Sequence, residues 1–152
     1  MFIKIFKYTL PMPPSINVGM TNGVKGRHIY TEATKAWKKN AAKELMVARV
    51  QQSFTTLKVP SHCRLDFHFS NVRCDLNNYL KFLYDVLTES ALIKDDRYIY
   101  SEFHNKLMTD KGKERVDIYL STERVAHMLY EDEIHDIQTP ESITQEIEEF
   151  SD

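Results

Sequence analysis

The pattern that most constrains the fold is a short amphipathic segment between two alternating ones. Residues 77–90 predict a helix with one apolar face, because large apolar side chains recur there at spacings i, i+3, i+4 and i+7. These side chains are Leu80, Leu83, Tyr84 and Leu87. Residues 62–69 and 97–107 alternate between apolar and polar side chains, which is typical of strands. A strand, a helix and a strand are therefore expected in this order.

A further strand and a longer helix are predicted before this unit. Residues 2–10 alternate as a strand, and "PMPPS" ends it because proline has no backbone N–H to donate. Residues 15–30, rich in glycine, asparagine and basic side chains, predict a loop. Thr31 is expected to cap a helix that runs from Glu32 to near Gln52. Its predicted apolar stripe consists of Ala33, Trp37, Ala41, Leu45 and Ala48.

The last predicted strand covers residues 115–121, and "TDKGK" before it suits a hairpin turn with the strand at 97–107. The order β, α, β, α, β, β predicts the α+β class, with a mixed sheet and two main helices. Residues 1–123 are expected to form one domain. Residues 124–152 are interpreted as an acidic C-terminal appendage that forms a short helix at best.

The net charge of −2 conceals two oppositely charged parts. Residues 1–120 contain 19 Lys and Arg against 12 Asp and Glu, a balance of +7. Residues 121–152 contain 1 Arg against 10 Asp and Glu, a balance of −9. A basic body suggests a polyanionic partner. The acidic part is expected to be a solubilising tail, to fold over the basic surface, or to bind a protein partner.

The sequence also limits where the chain works. No apolar run approaches the roughly 20 residues that span a bilayer, and the first residues are too charged for a signal peptide. We therefore expect a cytoplasmic protein with no membrane partner. Cys63 and Cys74 have neither metal-site nor disulfide spacing, so free thiols are expected.

Charged residues are concentrated around the predicted helix at 77–90. Asp75 precedes the helix, Lys81 lies four residues after Asn77 on the same face, and Asp95 and Asp96 follow the helix. Taken singly, Asp75 suits an N-cap and the other side chains suit a solvated surface. Together, carboxylates that hold Mg²⁺ and a lysine that balances phosphate charge are the components of metal-assisted phosphodiester hydrolysis. This combination predicts a nuclease.

Two separated motifs in this order resemble the RusA-type Holliday junction resolvases. They are "LPMPPS" with the basic loop after it, and "CDLNNYLKFLYDVLTESALIKDD". With the closing "KGKERVDIYL", the resemblance covers roughly residues 8–120. It implies a RusA-like homodimer that binds four-way DNA junctions and cuts two opposing strands with Mg²⁺ or Mn²⁺. It also implies a bacterial, phage or prophage source.

The resemblance assigns roles to single residues. Asp75 and Asp96 match catalytic acids, Lys81 matches the catalytic lysine, and Asn78 matches the asparagine of the motif. Asp85 and Asp95 match acids that are usually present, interpreted as supporting residues, with Asp95 a further candidate ligand. The implied metal ligands are Asp75, Asn77, Asp95 and Asp96.

Position 77 departs from the family pattern, which usually has a second catalytic aspartate there. Asn77 keeps one carbonyl oxygen but loses the negative charge, so it is a weaker cation ligand. The residue is either an engineered trap, a natural and weaker variant, or the mark of a junction binder that no longer cuts.

Phosphate contacts are expected from the basic loop, the first helix, the segment before Asp75 and the region around the last turn. The residues are Lys25, Arg27, His28, Lys38, Arg73, Lys106, Lys111 and Lys113. Two other functions stay open. One is a catalytically inactive branched-DNA-binding protein, and the other is an adaptor whose acidic tail carries the function.

Overall fold

The computed structural model describes residues 4–23, 26 and 28–123. Its strands are β1 (Phe6–Pro11), β2 (Met20–Asn22), β3 (His28–Tyr30), β4 (Ser61–Phe69), β5 (Ile99–Met108) and β6 (Arg115–Ser121). Its helices are α1 (Ile16–Gly19), α2 (Glu32–Gln51) and α3 (Leu80–Glu89). Two 3-10 turns, Leu76–Tyr79 and Asp96–Tyr98, lie at the two ends of α3. The acidic appendage predicted at 124–152 lies outside the described residues.

A mixed sheet of four strands, in the order β1-β6-β4-β5, organises the chain. β6 is antiparallel to both of its neighbours, whereas β4 and β5 are parallel. Ser61 lies opposite Ile99 at one end of this parallel pair, and Phe69 lies opposite Met108 at the other. Parallel neighbours need a crossover connection, and α3 provides it. The predicted α+β class with a mixed sheet is confirmed.

The predicted hairpin between the last two strands is wrong. β4 lies between β5 and β6 in the sheet, so the turn at residues 109–114 passes over one strand instead of joining two neighbours. The reason is the composition of β4, in which seven of nine residues are buried. Such a strand is most stable in the interior of a sheet, where both neighbours and a helical layer cover it.

The predicted loop at residues 15–30 contains short regular elements instead. Ser15 begins the single-turn helix α1, and β2 pairs with β3 in a separate antiparallel ribbon. Gly19 ends α1 in a crowded place: an added Cβ would lie 2.5 Å from Cε2 of Phe82 and 2.8 Å from Oγ1 of Thr34. The glycine therefore lets this segment approach α2 and α3 closely.

Both long helices pack on one face of the sheet, and the hydrophobic core lies between the two layers. α2 begins at its predicted cap, since the Thr31 side chain accepts a hydrogen bond from the N–H of Thr34 at 3.2 Å. Its buried stripe differs from the predicted one: Ala33 is exposed, whereas Thr34 and Lys38 are buried. None of the helices in the described part of the chain is long and apolar enough to cross a membrane.

The opposite face of the sheet carries polar side chains that bond to one another. Asp117 accepts from Oγ1 of Thr9 at 2.7 Å and lies 2.8 Å from Nε2 of His68. Asp66 accepts from the Arg64 guanidinium at 2.9 Å and from Nδ2 of Asn105 at 2.8 Å. These bonds cross all four strands, so they tie the sheet together on the side away from α2 and α3.

Replacing Gly19 with alanine should destabilise the protein by about 1–3 kcal/mol, because the new methyl group overpacks a rigid contact with Phe82. Gly112→Ala is the control. No atom lies within 4 Å of its added Cβ, so only the cost of its positive φ of 91° remains, about 1 kcal/mol. Denaturant unfolding of both variants measures the difference. A smaller loss for Gly19→Ala than for Gly112→Ala would contradict the close packing.

Candidate active site

Asp75 and Asn77 lie together at the entrance to the crossover between β4 and β5. Oδ1 of Asp75 accepts a hydrogen bond from the backbone N–H of Asn77 at 3.1 Å, which begins the 3-10 turn before α3. Aspartate favours this capping position because its short side chain reaches back to the first N–H groups of the turn. Both residues are exposed, so their polar side chains are accessible to a ligand.

Lys106 on β5 holds the loop that leads to Asp75. Its ammonium group donates to the carbonyl oxygens of Val72 at 2.6 Å and Cys74 at 2.5 Å, and it lies 5.7 Å from the centre of the Phe69 ring. This contact fixes the backbone next to Asp75. Sequence reasoning interpreted Lys106 only as a phosphate contact, because bonds to backbone carbonyls leave no side-chain pattern.

Lys81 and Asp85 continue the polar side of α3. The ammonium of Lys81 is 3.9 Å from Oδ2 of Asp85, and both side chains are partly exposed. The same carboxylate oxygen accepts from the hydroxyl of Tyr30 and from the ammonium of Lys38, each at 3.3 Å. Asp85 therefore connects Lys81 to α2 and to the β2–β3 ribbon.

Lys38 is a nearly buried lysine between the two helices. Its ammonium is 3.1 Å from Oε1 of Glu89 and 3.3 Å from Oδ2 of Asp85, and it lies over the Tyr30 ring at 4.5 Å. Burial by itself lowers the pKa of Lys38, but the bonds to Glu89 and Asp85 outweigh it and raise the pKa above its ordinary value. The lysine therefore stays charged, and its position at helical spacing from Thr34 and Ala41 was the sequence signal of its burial.

Asp95 and Asp96 lie at the other end of α3. Oδ1 of Asp95 accepts from the backbone N–H of Arg97 at 2.9 Å, and this bond is the main reason why the pKa of Asp95 is lowered. Asp96 is exposed in the 3-10 turn that leads into β5. The two aspartates thus precede β5, whereas Asp75 follows β4.

The length of α3 separates the predicted metal ligands within one chain. Fourteen residues in helix or 3-10 turn lie between Asp75 and Ser90, which corresponds to about 20 Å of rise. In the part of the chain that the structure describes, no three His, Cys, Asp or Glu side chains come together as a metal site. Asp75 with Asn77 at one end and Asp95 with Asp96 at the other therefore do not form a Mg²⁺ site within one chain.

The residues predicted to contact phosphates differ in their exposure and in their bonding partners. Arg73, Lys111 and Lys113 are exposed, with Lys113 paired to Asp110 at 3.7 Å. Lys25 and Arg27 lie outside the described residues, and of His28 only the backbone, in β3, is described. The ammonium groups of Lys38 and Lys106 are already bonded to protein oxygens, as described above.

Both cysteines are free thiols, as predicted. Cys63 is buried in β4, where desolvation raises its pKa, and Cys74 lies in the loop before Asp75. The hydroxyl of Tyr79 contacts Sγ of Cys74 at 3.7 Å, and partial burial raises the pKa of this tyrosine to about 12. The Cys63 thiol is therefore not activated as a nucleophile.

Replacing Lys38 with methionine should destabilise the protein by about 1–2 kcal/mol, since Asp85 and Glu89 would face each other without their shared cation. Both carboxylates are partly exposed, so solvent screens their repulsion and the loss of stability is moderate. Because the pKa of Lys38 is raised, this loss of stability should be constant from neutral pH to pH 10.5 and shrink as the pH rises further.

The matched control for Lys38→Met is Lys39→Met, which removes the neighbouring but exposed lysine and should change stability by no more than about 0.5 kcal/mol. Urea unfolding of both variants at several pH values measures these effects. Equal losses in the two variants would show that the Lys38 ion pairs do not stabilise the fold.

Comparisons with known proteins identify the family. The family model described as Endodeoxyribonuclease RusA matches residues 11–120. No curated protein matches the chain. The matched region runs from Pro11 at the end of β1 to Leu120 in β6 and includes both ends of α3. It confirms the resemblance that the two motifs indicate. The chain belongs to the RusA family of endodeoxyribonucleases.

Proposed function

We propose that this chain is a structure-selective endodeoxyribonuclease that binds four-way DNA junctions as a homodimer and cuts two opposing strands. The observation that carries the proposal is its family membership, because the matched region includes the entire segment from Asp75 to Asp96. Two identical sites related by a two-fold axis suit two opposing strands of a two-fold symmetric substrate. We further propose that cleavage depends on Mg²⁺ or Mn²⁺, which prefer oxygen ligands such as these carboxylates.

The chain's own residues would act in distinct ways. Lys81 would place its partly exposed ammonium against the phosphate that is cleaved and stabilise the charge that develops there. Asp85 would orient Lys81, and Lys106 would keep the loop before Asp75 in one conformation. Arg73, Lys111 and Lys113 are exposed cations that could contact neighbouring phosphates, which contributes affinity with little base specificity.

The separation along α3 supports a site made by two copies of the chain. Asp75 and Asp96 lie at opposite ends of the helix, so both acids can serve one phosphate only if they come from different protomers. In this arrangement Asp75, Asn77 and Lys81 of one protomer would face Asp95 and Asp96 of the other. Dimerisation would then be a condition for cleavage.

Mixing two inactive variants tests this arrangement. Asp75→Asn and Asp96→Asn should each abolish cleavage, but their heterodimer would contain one site with both wild-type acids. Mixed and re-equilibrated variants should therefore nick one strand of a labelled junction at up to about half the wild-type rate per heterodimer, since one of two sites is intact, which is about a quarter of the wild-type rate per total dimer when equal amounts re-associate at random. The Asn77→Asp background is used if the wild type does not cut.

The experiment has one outcome that would contradict the shared site, and one control mixture. Mixtures without activity, from variants that are active dimers before substitution, would show that Asp75 and Asp96 do not serve one shared site. The control mixture combines Asp75→Asn with Lys81→Ala. Both lesions lie in the same half-site, so this heterodimer should stay inactive in the shared arrangement.

Asn77 supports a second candidate, a branched-DNA-binding protein that does not cut. Its side chain has no carboxylate, and it lies directly beside Asp75 at the start of α3. An amide oxygen binds a divalent cation more weakly than a carboxylate does. The two candidates share every basic residue of the surface and differ only in the chemistry at this end of the helix.

Asn77→Asp separates the two candidates in an assay with a labelled four-way junction and Mg²⁺. We expect the substitution to raise the cleavage rate about tenfold or more and to change junction affinity little, because it adds a ligand charge without a new phosphate contact. Cleavage by both forms would show that Asn77 is compatible with activity, whereas cleavage by the Asp form alone would show that the chain with Asn77 binds junctions without cutting them. Absence of cleavage and of junction preference in both forms would contradict the proposed function.

A further inference from the structure

The two edges of the sheet differ in how they are protected. At the β1 edge, the Gln52 side chain donates to the carbonyl of Lys7 at 2.7 Å and accepts from its N–H at 3.2 Å, and Pro11 ends the strand. These contacts occupy backbone groups that another strand would need. At the β5 edge, none of the described residues pairs with the side of the strand that faces away from β4.

β5 is also the most apolar exposed element of the described chain. Tyr100 is 69% exposed, Phe103 49%, Leu107 40% and Met108 51%. A ten-residue edge strand with this many exposed apolar side chains is a template for pairing with another strand. Edge strands that must stay single are normally short, bulged or covered. β5 has ten residues, and its one irregularity is at Tyr100 near its start, whereas its pairing with β4 is regular from Ser101 to Met108.

We propose that β5 is the self-association surface of this protein, where it pairs in antiparallel fashion with β5 of a second copy. The inference rests on the proposed homodimer and adds the place and register of its interface. The two-fold axis passes next to His104 and is perpendicular to the sheet. The two four-stranded sheets thereby become one sheet of eight strands.

This register follows from the charges and apolar side chains of β5. With His104 at the axis, Glu102 of one copy lies opposite Lys106 of the second copy, and the pair occurs twice by symmetry. Leu107 lies opposite Ser101 and Phe103 lies opposite Asn105, so the pairing covers two exposed apolar side chains of the regular part of the strand. A shift by two residues in either direction places Glu102 opposite His104 or Met108 and loses both charge pairs.

The same pairing brings the two halves of the proposed site to one end of the interface. Lys106 bonds to the carbonyl of Cys74, so Asp75 lies near the end of β5. Asp95 and Asp96 directly precede the start of β5. Because antiparallel pairing places the start of one strand beside the end of the other, the Asp96 end of one copy approaches the Asp75 end of the second.

Disulfide trapping tests the register. In Ser101→Cys/Leu107→Cys, the two introduced thiols face each other across copies with Cβ atoms about 4.5–5.5 Å apart, within reach of a disulfide after small adjustment, and both positions lie in the regular part of β5. In each single variant the introduced thiol lies about 20 Å from its symmetry mate, because six residues of strand separate the two positions. Mild oxidation of the full chain should give a covalent dimer on a non-reducing gel with the double variant only.

The single variants also control for the native thiols, since Cys63 and Cys74 are present in all three proteins. A double variant that sediments as a dimer but stays unlinked would overturn the register. Equal amounts of covalent dimer from a single variant and from the double variant would also overturn the register. The disulfides would then come from random collisions between molecules and not from a fixed pairing of the two strands.

A second variant tests the surface without relying on cross-linking. Phe103→Glu should raise the dimer dissociation constant at least about tenfold in sedimentation experiments, since it buries a charge at the interface. Val59→Glu, at an equally exposed apolar side chain outside the sheet, should change it less than about twofold. An unchanged dissociation constant for Phe103→Glu would exclude β5 as the interface without contradicting the proposed homodimer. A wild-type protein that stays monomeric with and without junction DNA would exclude both the β5 interface and the homodimer.

Discussion

The parallel pairing of β4 with β5 is the constraint on which the rest of the structure depends. Parallel neighbours cannot be joined by a tight turn, so the chain has to return along the length of the sheet before β5 begins. α3 makes that return, and the residues assigned to catalysis are attached to it: Asp75 at its entrance, Lys81 on its side, and Asp96 at its exit. The separation of the acids therefore follows from the topology, and no adjustment of a loop could remove it within one chain.

The lysines of the basic body serve two physical purposes. Lys38 and Lys106 are bonded to protein oxygens, the first between α2 and α3 and the second to the loop before Asp75. They stabilise the framework that places Lys81, and Asp85 links this framework to the Lys81 ammonium. Arg73 and Lys111 are exposed, so their charge is accessible to a polyanion. Net basic charge alone does not distinguish these two groups.

The sheet has one covered face, one polar face and two unequal edges. The helices cover the first face, while bonds such as those of Asp117 and Asp66 cross the strands on the second. Gln52 closes the β1 edge, whereas β5 exposes its backbone and several large apolar side chains. This asymmetry favours the addition of a further strand at the β5 edge over the β1 edge. On that side lie also the two ends of α3, which is why assembly and catalysis are linked in the proposed function.

The sequence by itself determined the local elements and the chemistry. Alternation predicted β4, the i, i+3, i+4, i+7 pattern predicted α3, and Thr31 capped α2 where expected. The two motifs around Pro11 and Asp75 predicted the family, because they record chemical requirements that do not depend on strand order. Only the tertiary structure decided that β4 separates β5 from β6, that Lys38 pairs with Asp85 and Glu89, and that Asp75 and Asp96 lie apart. These properties arise from contacts between distant segments, and the energy of such contacts does not appear in the pattern of any one segment.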